Sequence, residues 1–255
     1  MAPNLRLMEH LTWPEYEQRI KAGRPILLAC GATEQHGPHL PLGTDYMQAQ
    51  GVALAIAERV DGIVAPPLVY GYKSQPFSGG GQAFVGTTSL DGETLTYLVR
   101  DILREFIRHG ARRIVLIDGH YENASFLTEG IDLALRDKPS SDVKILLIHW
   151  WELISQETLD RAFDGKFPGY AREHAAVLET SAISYLHPEL VRWDRLVDDE
   201  AQRIPQYAIY PPPADAVPAS GVLSPARKAS REIGGTIIQE VVEAASRAIR
   251  FEFGL

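Results

Sequence analysis

Two short segments of this 255-residue chain carry carboxylates and imidazoles at a spacing that suits metal chemistry. The first, GATEQHGPHLPLGTD, runs from Gly31 to Asp45, and the second, DGHYENAS, starts at Asp118. Glu34 and His36 are two apart, so an extended backbone points both side chains to one side. His120 and Glu122 repeat that spacing, and Asp45 adds a third carboxylate. Two imidazoles and three carboxylates suit Zn²⁺ or Mn²⁺ better than copper or iron–sulfur chemistry. Five candidates exceed the three protein ligands of a typical catalytic zinc, and a carboxylate can bridge two ions about 3.5–4 Å apart. Such a pair lowers the pKa of a shared water and polarises the bond it attacks, so the implied chemistry is hydrolysis. Singly, each residue has a plainer reading: Glu34 a surface acid, Asp45 a helix cap, His120 a polar loop residue. The repeated spacing is what joins them.

Each segment follows a short apolar run, residues 25–32 and 113–117, which reads as a buried strand. Further strands are expected at 63–66, before a proline pair, and at 144–149. Helices are expected at 44–59, 91–109, 123–136, 173–186 and 224–252. Residues 67–90 form a long loop containing Gly79-Gly80-Gly81, read as a flexible turn, and 201–225 is rich in proline. Strand–helix alternation predicts an α/β fold in a single domain, residues 1–255, with a mostly parallel sheet covered by helices on both faces. Functional groups in such folds gather at the carboxyl edge of the sheet, where both segments lie.

Composition narrows the function classes. With 45% hydrophobic and 23% charged residues the chain is globular rather than disordered. No run approaches ~18 apolar residues, so no membrane span is expected. MAPNLRLMEH lacks the features of a signal peptide, and Cys30 is the single cysteine. Together these predict a cytoplasmic protein. The net charge is −8 and basic residues cluster only in pairs such as Arg112-Arg113. Neither a nucleic acid nor an anionic membrane is an expected partner.

Five blocks, GATEQHGPHLPLGTD, YGYKSQPFSGGG, GTTSLDGETL, RHGARRIVLIDGHYEN and EHAAVLETS, together resemble the creatininase (creatinine amidohydrolase) family, in register from about Leu11 to the end. The resemblance implies a layered α/β fold, a homohexamer, and two ions per chain, Zn²⁺ and/or Mn²⁺. It implies that Glu34, Asp45 and His120 hold one ion and His36, Asp45 and Glu122 the other, with Asp45 bridging. It further implies His174 and Glu122 as catalytic groups, His174 handling protons during ring opening. Ser78, Tyr121, Trp151 and Tyr170 would contact a small cyclic substrate, and Glu179 would orient ligands or His174. One position departs from the pattern: creatinine-hydrolysing members carry a Trp-Asp pair where this chain has Tyr170-Ala171. The expected activity is opening of a small cyclic amide, creatinine or a related lactam. The alternatives keep the metals and change the bond: carbon–carbon cleavage of an oxidised cyclic polyol such as a keto-inositol, or hydrolysis of a formyl amide.

Overall fold

The apolar runs assemble into a four-stranded parallel sheet in the computed structural model, which describes residues 4–136, 142–201, 207, 209–211, 213 and 216–255. The strands are β1 (Ile26–Cys30), β2 (Ile63–Leu68), β3 (Arg113–Asp118) and β4 (Lys144–His149), in the order β2-β1-β3-β4. Their central residues are apolar because both faces of the sheet are covered. Leu27, Ala29, Val64, Val115 and Ile117 point to one side, and Ile26, Leu28, Cys30, Ile63, Ile114 and Leu116 to the other.

The first side packs on α2 (Thr44–Val60), α6 (Val177–Leu186) and α7 (Arg231–Phe253), with α5 (Gln156–Phe163) beside them through Leu159 and Ala162. The second packs on α3 (Gly92–Arg108) and α4 (Ala124–Arg136), with α1 (Trp13–Lys21) contributing Ile20. Helices α1 and α5 are not among those expected from the sequence. Yet α1 opens with a capping box, the Thr12 N–H and hydroxyl both donating to Glu15 at 2.7 Å.

Several boundaries differ from the sequence-based expectation. β2 continues through Pro66 and Pro67 to Leu68, which an edge strand tolerates because its outer N–H groups need no partner. α6 starts at Val177 rather than residue 173. The reason is Ala175, whose left-handed φ of 56° breaks the approach, leaving Glu173 and His174 in the turn before the helix. α7 starts at Arg231 rather than 224, because the Ser230 hydroxyl accepts from the Ile233 N–H and sets the cap there. No helix among the described residues is long and apolar enough to cross a membrane.

The strand order decides where the two chemistry-bearing segments meet. From β1 the chain passes through α2 to β2 on one flank, then through α3 to β3 on the other. The loops leaving β1 and β3 therefore sit side by side at the carboxyl edge but depart from a point where the topology reverses. That is where open α/β sheets form their ligand crevice.

Candidate metal centre

Both segments leave this switch point. Gly31 and Gly119 follow β1 and β3, and the first turn of α2 lies directly on them. A Cβ on Gly31 would come within 2.3 Å of the Tyr46 nitrogen, and one on Gly119 within 2.4 Å of the Asp45 carbonyl oxygen. The two glycines thus admit α2 to the sheet edge and deliver Asp45 between the Glu34–His36 and His120–Glu122 pairs. A carboxylate in a helix's first turn is also favoured by the helix dipole.

The two oxygens of Asp45 face different imidazoles. Oδ1 is 2.9 Å from His36 Nε2, and Oδ2 is 3.0 Å from His120 Nδ1. Glu34 Oε2 approaches the same His120 nitrogen at 3.2 Å, and Glu179 Oε1 approaches His36 Nε2 at 3.5 Å. Among the described residues, one group is therefore Glu34, Asp45 and His120, and a second is His36, Asp45 and Glu179; Glu34, His36 and His174 form a third, overlapping group. Glu122 stands beside His120, its Oε2 3.4 Å from Nε2. Its other oxygen accepts the Gln75 N–H at 2.9 Å and the Ser78 hydroxyl.

These side chains fit divalent cations. Glu34 Oε1, His36 Nε2 and Asp45 Oδ2 are buried with no hydrogen-bond partner, an arrangement that is costly unless something else satisfies them. The outward ring nitrogens are already engaged: His36 Nδ1 lies 3.1 Å from the Glu34 carbonyl and His120 Nε2 lies 2.9 Å from the Tyr72 carbonyl. N–H donation there leaves His36 Nε2 and His120 Nδ1 with lone pairs aimed at the carboxylates, the usual way a ligating histidine is oriented.

The electrostatics agree. Burial pulls the His36 and His120 imidazoles down, but the surrounding carboxylates, Asp45 and Glu179 for His36 and Glu122, Asp45 and Glu34 for His120, outweigh it and hold both well above the ordinary value. Asp45 is likewise raised by burial, but the two histidines hold it below its usual range. Glu173 is the opposite case: burial and the neighbouring Glu179 charge push its carboxyl well above the usual range.

The remaining candidates surround this cluster. Ser78, Tyr121, Trp151, Tyr170 and His174 line one narrow cleft with Glu34, Asp45 and Glu122, about 40 Å³ in volume. Trp151 stacks at its wall, 6.2 Å from Tyr121 and 5.4 Å from His149 between ring centroids. Tyr170 stands edge-on to Phe167 at 4.8 Å. The triglycine is not an open turn, because Cβ atoms on Gly79 or Gly81 would meet the Glu34 carboxylate at 2.7 Å. Glu179 holds the strained turn before α6, accepting the Ala175 N–H at 2.6 Å.

Sequence reading missed several supporting residues. Asp118 accepts the His120 N–H at 3.1 Å and pairs with His149 at 2.9 Å. Its place at the last position of β3, two before a candidate ligand, was the available signal. Gln35, between Glu34 and His36, and the buried Glu173 left none that spacing could expose.

A parallel sheet that gathers these carboxylates and imidazoles at its switch point defines a metal-dependent α/β hydrolase. The creatininase family, described as creatinine amidohydrolase, matches residues 9–249, and the chain belongs to it. It is 46% identical over 248 residues to creatinine amidohydrolase from Pseudomonas putida, covering 95% of each chain. It is 31% identical over 258 residues to a mycofactocin precursor peptide peptidase from Mycobacterium ulcerans, covering 95% of this chain and 88% of that one. Its fold superimposes on that of a mutant creatininase complexed with creatine at a TM-score of 0.94, with 44% identity over 97% of this chain and 98% of the other. Similar solved creatininases include a Zn–Zn form and a Mn form.

Proposed function

We propose that this protein opens a small cyclic amide of the creatinine class at a two-metal centre built around Asp45. The observation that carries the reading is the division of the Asp45 carboxylate, one oxygen toward His36 and the other toward His120. Glu34, Asp45 and His120 would hold one ion, and His36 and Asp45, with Glu122 as the resemblance implies, would hold the other, Zn²⁺ or Mn²⁺ in each. When bound, such a pair would activate a water and polarise the scissile carbonyl.

The chain's own groups do the rest. Ser78 and the Gln75 N–H fix the Glu122 carboxylate beside the cluster, where it can hold or pass a proton. Trp151 and Tyr121 offer flat faces to a planar ring, and Tyr170 lines the same cleft. His174 Nε2 lies 3.8 Å from Glu34 Oε1, near enough to the centre to protonate the departing ring nitrogen. Ala171 supplies no carboxylate where the resemblance expects one. That absence favours a ring other than creatinine as the second reading, with the same centre. The reading includes a homo-oligomer, which light scattering on the purified protein tests.

The test is creatinine-to-creatine turnover by protein stripped with chelator and reloaded with Mn²⁺ or Zn²⁺. Metal-dependent turnover is expected. No turnover by protein that binds two ions per chain removes creatinine as substrate and directs the screen to other lactams, formyl amides and oxidised cyclic polyols. Failure to bind two ions overturns the centre itself.

A further inference from the structure

Between the two ligand candidates Glu34 and His36 sits a side chain with no assigned role. Gln35 is buried and its amide touches three separate segments. Oε1 accepts the Gly37 N–H at 2.9 Å, while Nε2 donates to the Gly79 carbonyl at 3.2 Å and the Gly221 carbonyl at 3.0 Å. The Gly37 contact fixes which end of the amide is oxygen. A primary amide has two N–H bonds, and the two carbonyls absorb both.

Those two bonds leave His174 with a different partner. Its Nε2 lies 3.0 Å from Gln35 Nε2 and 2.8 Å from the Gln35 main-chain carbonyl. With no amide hydrogen left to receive, the imidazole nitrogen carries the proton and donates to the carbonyl. The same nitrogen stands 3.8 Å from Glu34 Oε1, at the edge of the carboxylate cluster.

Gly221 belongs to the end of the proline-rich segment, and this end is built into the site. The Leu223 N–H donates to the His174 carbonyl at 3.2 Å, and Val222 is fully buried. A Cβ on Gly37 would meet Val222 at 2.6 Å, and one on Gly80 would meet Val217 at 2.2 Å. Gly221 itself has φ +77°, and a Cβ there would lie 2.0 Å from Gln35 Oε1. Both the conformation and the space at this position exclude a side chain.

We propose that Gln35 is a positioning residue that clamps the 216–224 segment and the Gly79–Gly81 loop together over the centre and so holds His174 in its proton-donating orientation. It acts through His174 and the loops and touches no substrate. The inference rests on the amidohydrolase reading for its kinetic test and on geometry alone for its exchange test.

Gln35→Met keeps the length of the side chain and removes every hydrogen bond its amide makes. Gly221→Ala keeps the Gln35 amide but forces it and the Gly221 backbone apart. Both variants are expected to bind two metal ions per chain by elemental analysis. They should lose about 10-fold or more in kcat with KM within about 3-fold of wild type, since transition-state interactions alone are lost. The double variant should be no slower than the slower single one, because the two residues form one unit.

Hydrogen exchange reads the clamp without substrate. The Gly37 and Leu223 amides should be protected in wild type and exchange at least 10-fold faster in Gln35→Met. Wild-type amides exchanging at open-loop rates overturn the clamp even if neither variant folds. Unchanged kcat in a Gln35→Met protein with intact metal content overturns the positioning of His174. Loss of metal from that variant also overturns it, since Gln35 would then act through Glu34 and His36. A wild-type protein inactive on creatinine but with both amides protected refutes the substrate and leaves the clamp standing.

Discussion

Replacing Gly119 by alanine tests whether the first turn of α2 must lie against the ends of β1 and β3. Gly119 lies outside the left-handed region, so alanine meets no backbone strain and the whole effect comes from space. The added Cβ would sit 2.4 Å from the Asp45 carbonyl oxygen and 3.0 Å from Ala49 Cβ, where ordinary contact begins near 3.4 Å. The α2 turn or the 118–120 loop must therefore yield by about 1 Å. Either movement carries Asp45 away from at least one of the histidines now 2.9 and 3.0 Å from its oxygens. Metal–ligand distances tolerate only about 0.2 Å, so a 1 Å displacement exceeds what the site can absorb. Because Asp45 faces both histidines, affinity for both ions should fall, by at least the roughly 10–100-fold seen when supporting partners are removed. Overpacking costs about 1–3 kcal/mol, and at roughly 2–4 °C per kcal/mol for a chain of this size the metal-free protein should melt several degrees lower. Isothermal titration with Zn²⁺ and Mn²⁺, beside thermal melts of the stripped protein, measures both quantities. A Gly119→Ala protein that binds two ions with wild-type affinity would falsify the placement of Asp45 between the pairs. A melting shift with unchanged metal affinity sinks it too, since the strain would have gone elsewhere.

The other predictions concern chemistry. His174→Ala should retain two ions and lose about 10²–10⁴-fold in turnover, the usual worth of a proton-transfer group; near-wild-type turnover across pH 6–9 removes that role. Glu122→Gln should lower turnover and weaken at least one ion, and a variant with unaltered metal content and rate would contradict its assignment as ligand and catalyst. In stripped protein the raised His36 and His120 contribute stability that is fully present below their ordinary value of 6.5 and is lost as pH rises through their higher folded values. The metal-free Tm should therefore decline as pH is raised above about 6.5, while the metal-loaded protein, in which ions replace those protons, should not follow; parallel calorimetric scans compare them. Ala171→Asp restores a carboxylate beside Tyr170, and a charge-assisted hydrogen bond of about 1.5–3 kcal/mol corresponds to roughly 10–100-fold in kcat/KM for creatinine. No gain separates this position from substrate choice.

Much of the fold could be read directly. Parallel strands buried on both faces must be apolar throughout, and β1, β3 and β4 appear in the sequence as such runs. The amphipathic α3 and α4 show their apolar stripes for the same reason. The two-residue spacings Glu34–His36 and His120–Glu122 needed no tertiary information to be noticed, although residues 121–123 form a 3-10 turn rather than extended chain, which puts Glu122 against the outward Nε2 of His120. Boundaries set by side chains reaching back were harder. α6 starts late because Ala175 takes a left-handed conformation held by Glu179, which propensity does not foresee.

The order of strands lay beyond the sequence, and the site depends on it. Placing β1 beside β3 is a choice among packings with equally apolar strands; the helices that cover each face and the crossover connections made it. That choice brings the two candidate ligand pairs together, and the space at Gly31 and Gly119 inserts Asp45 between them. Residues 31–45 and 118–123 thus determined by themselves that this protein could hold divalent metals. Only the folded chain determined that Glu179 faces His36, that Glu122 is tied to Ser78 and Gln75, and that Gln35 and the end of a proline-rich segment close over His174. Those contacts join residues up to 186 positions apart, and short-range periodicity carries no information over that distance.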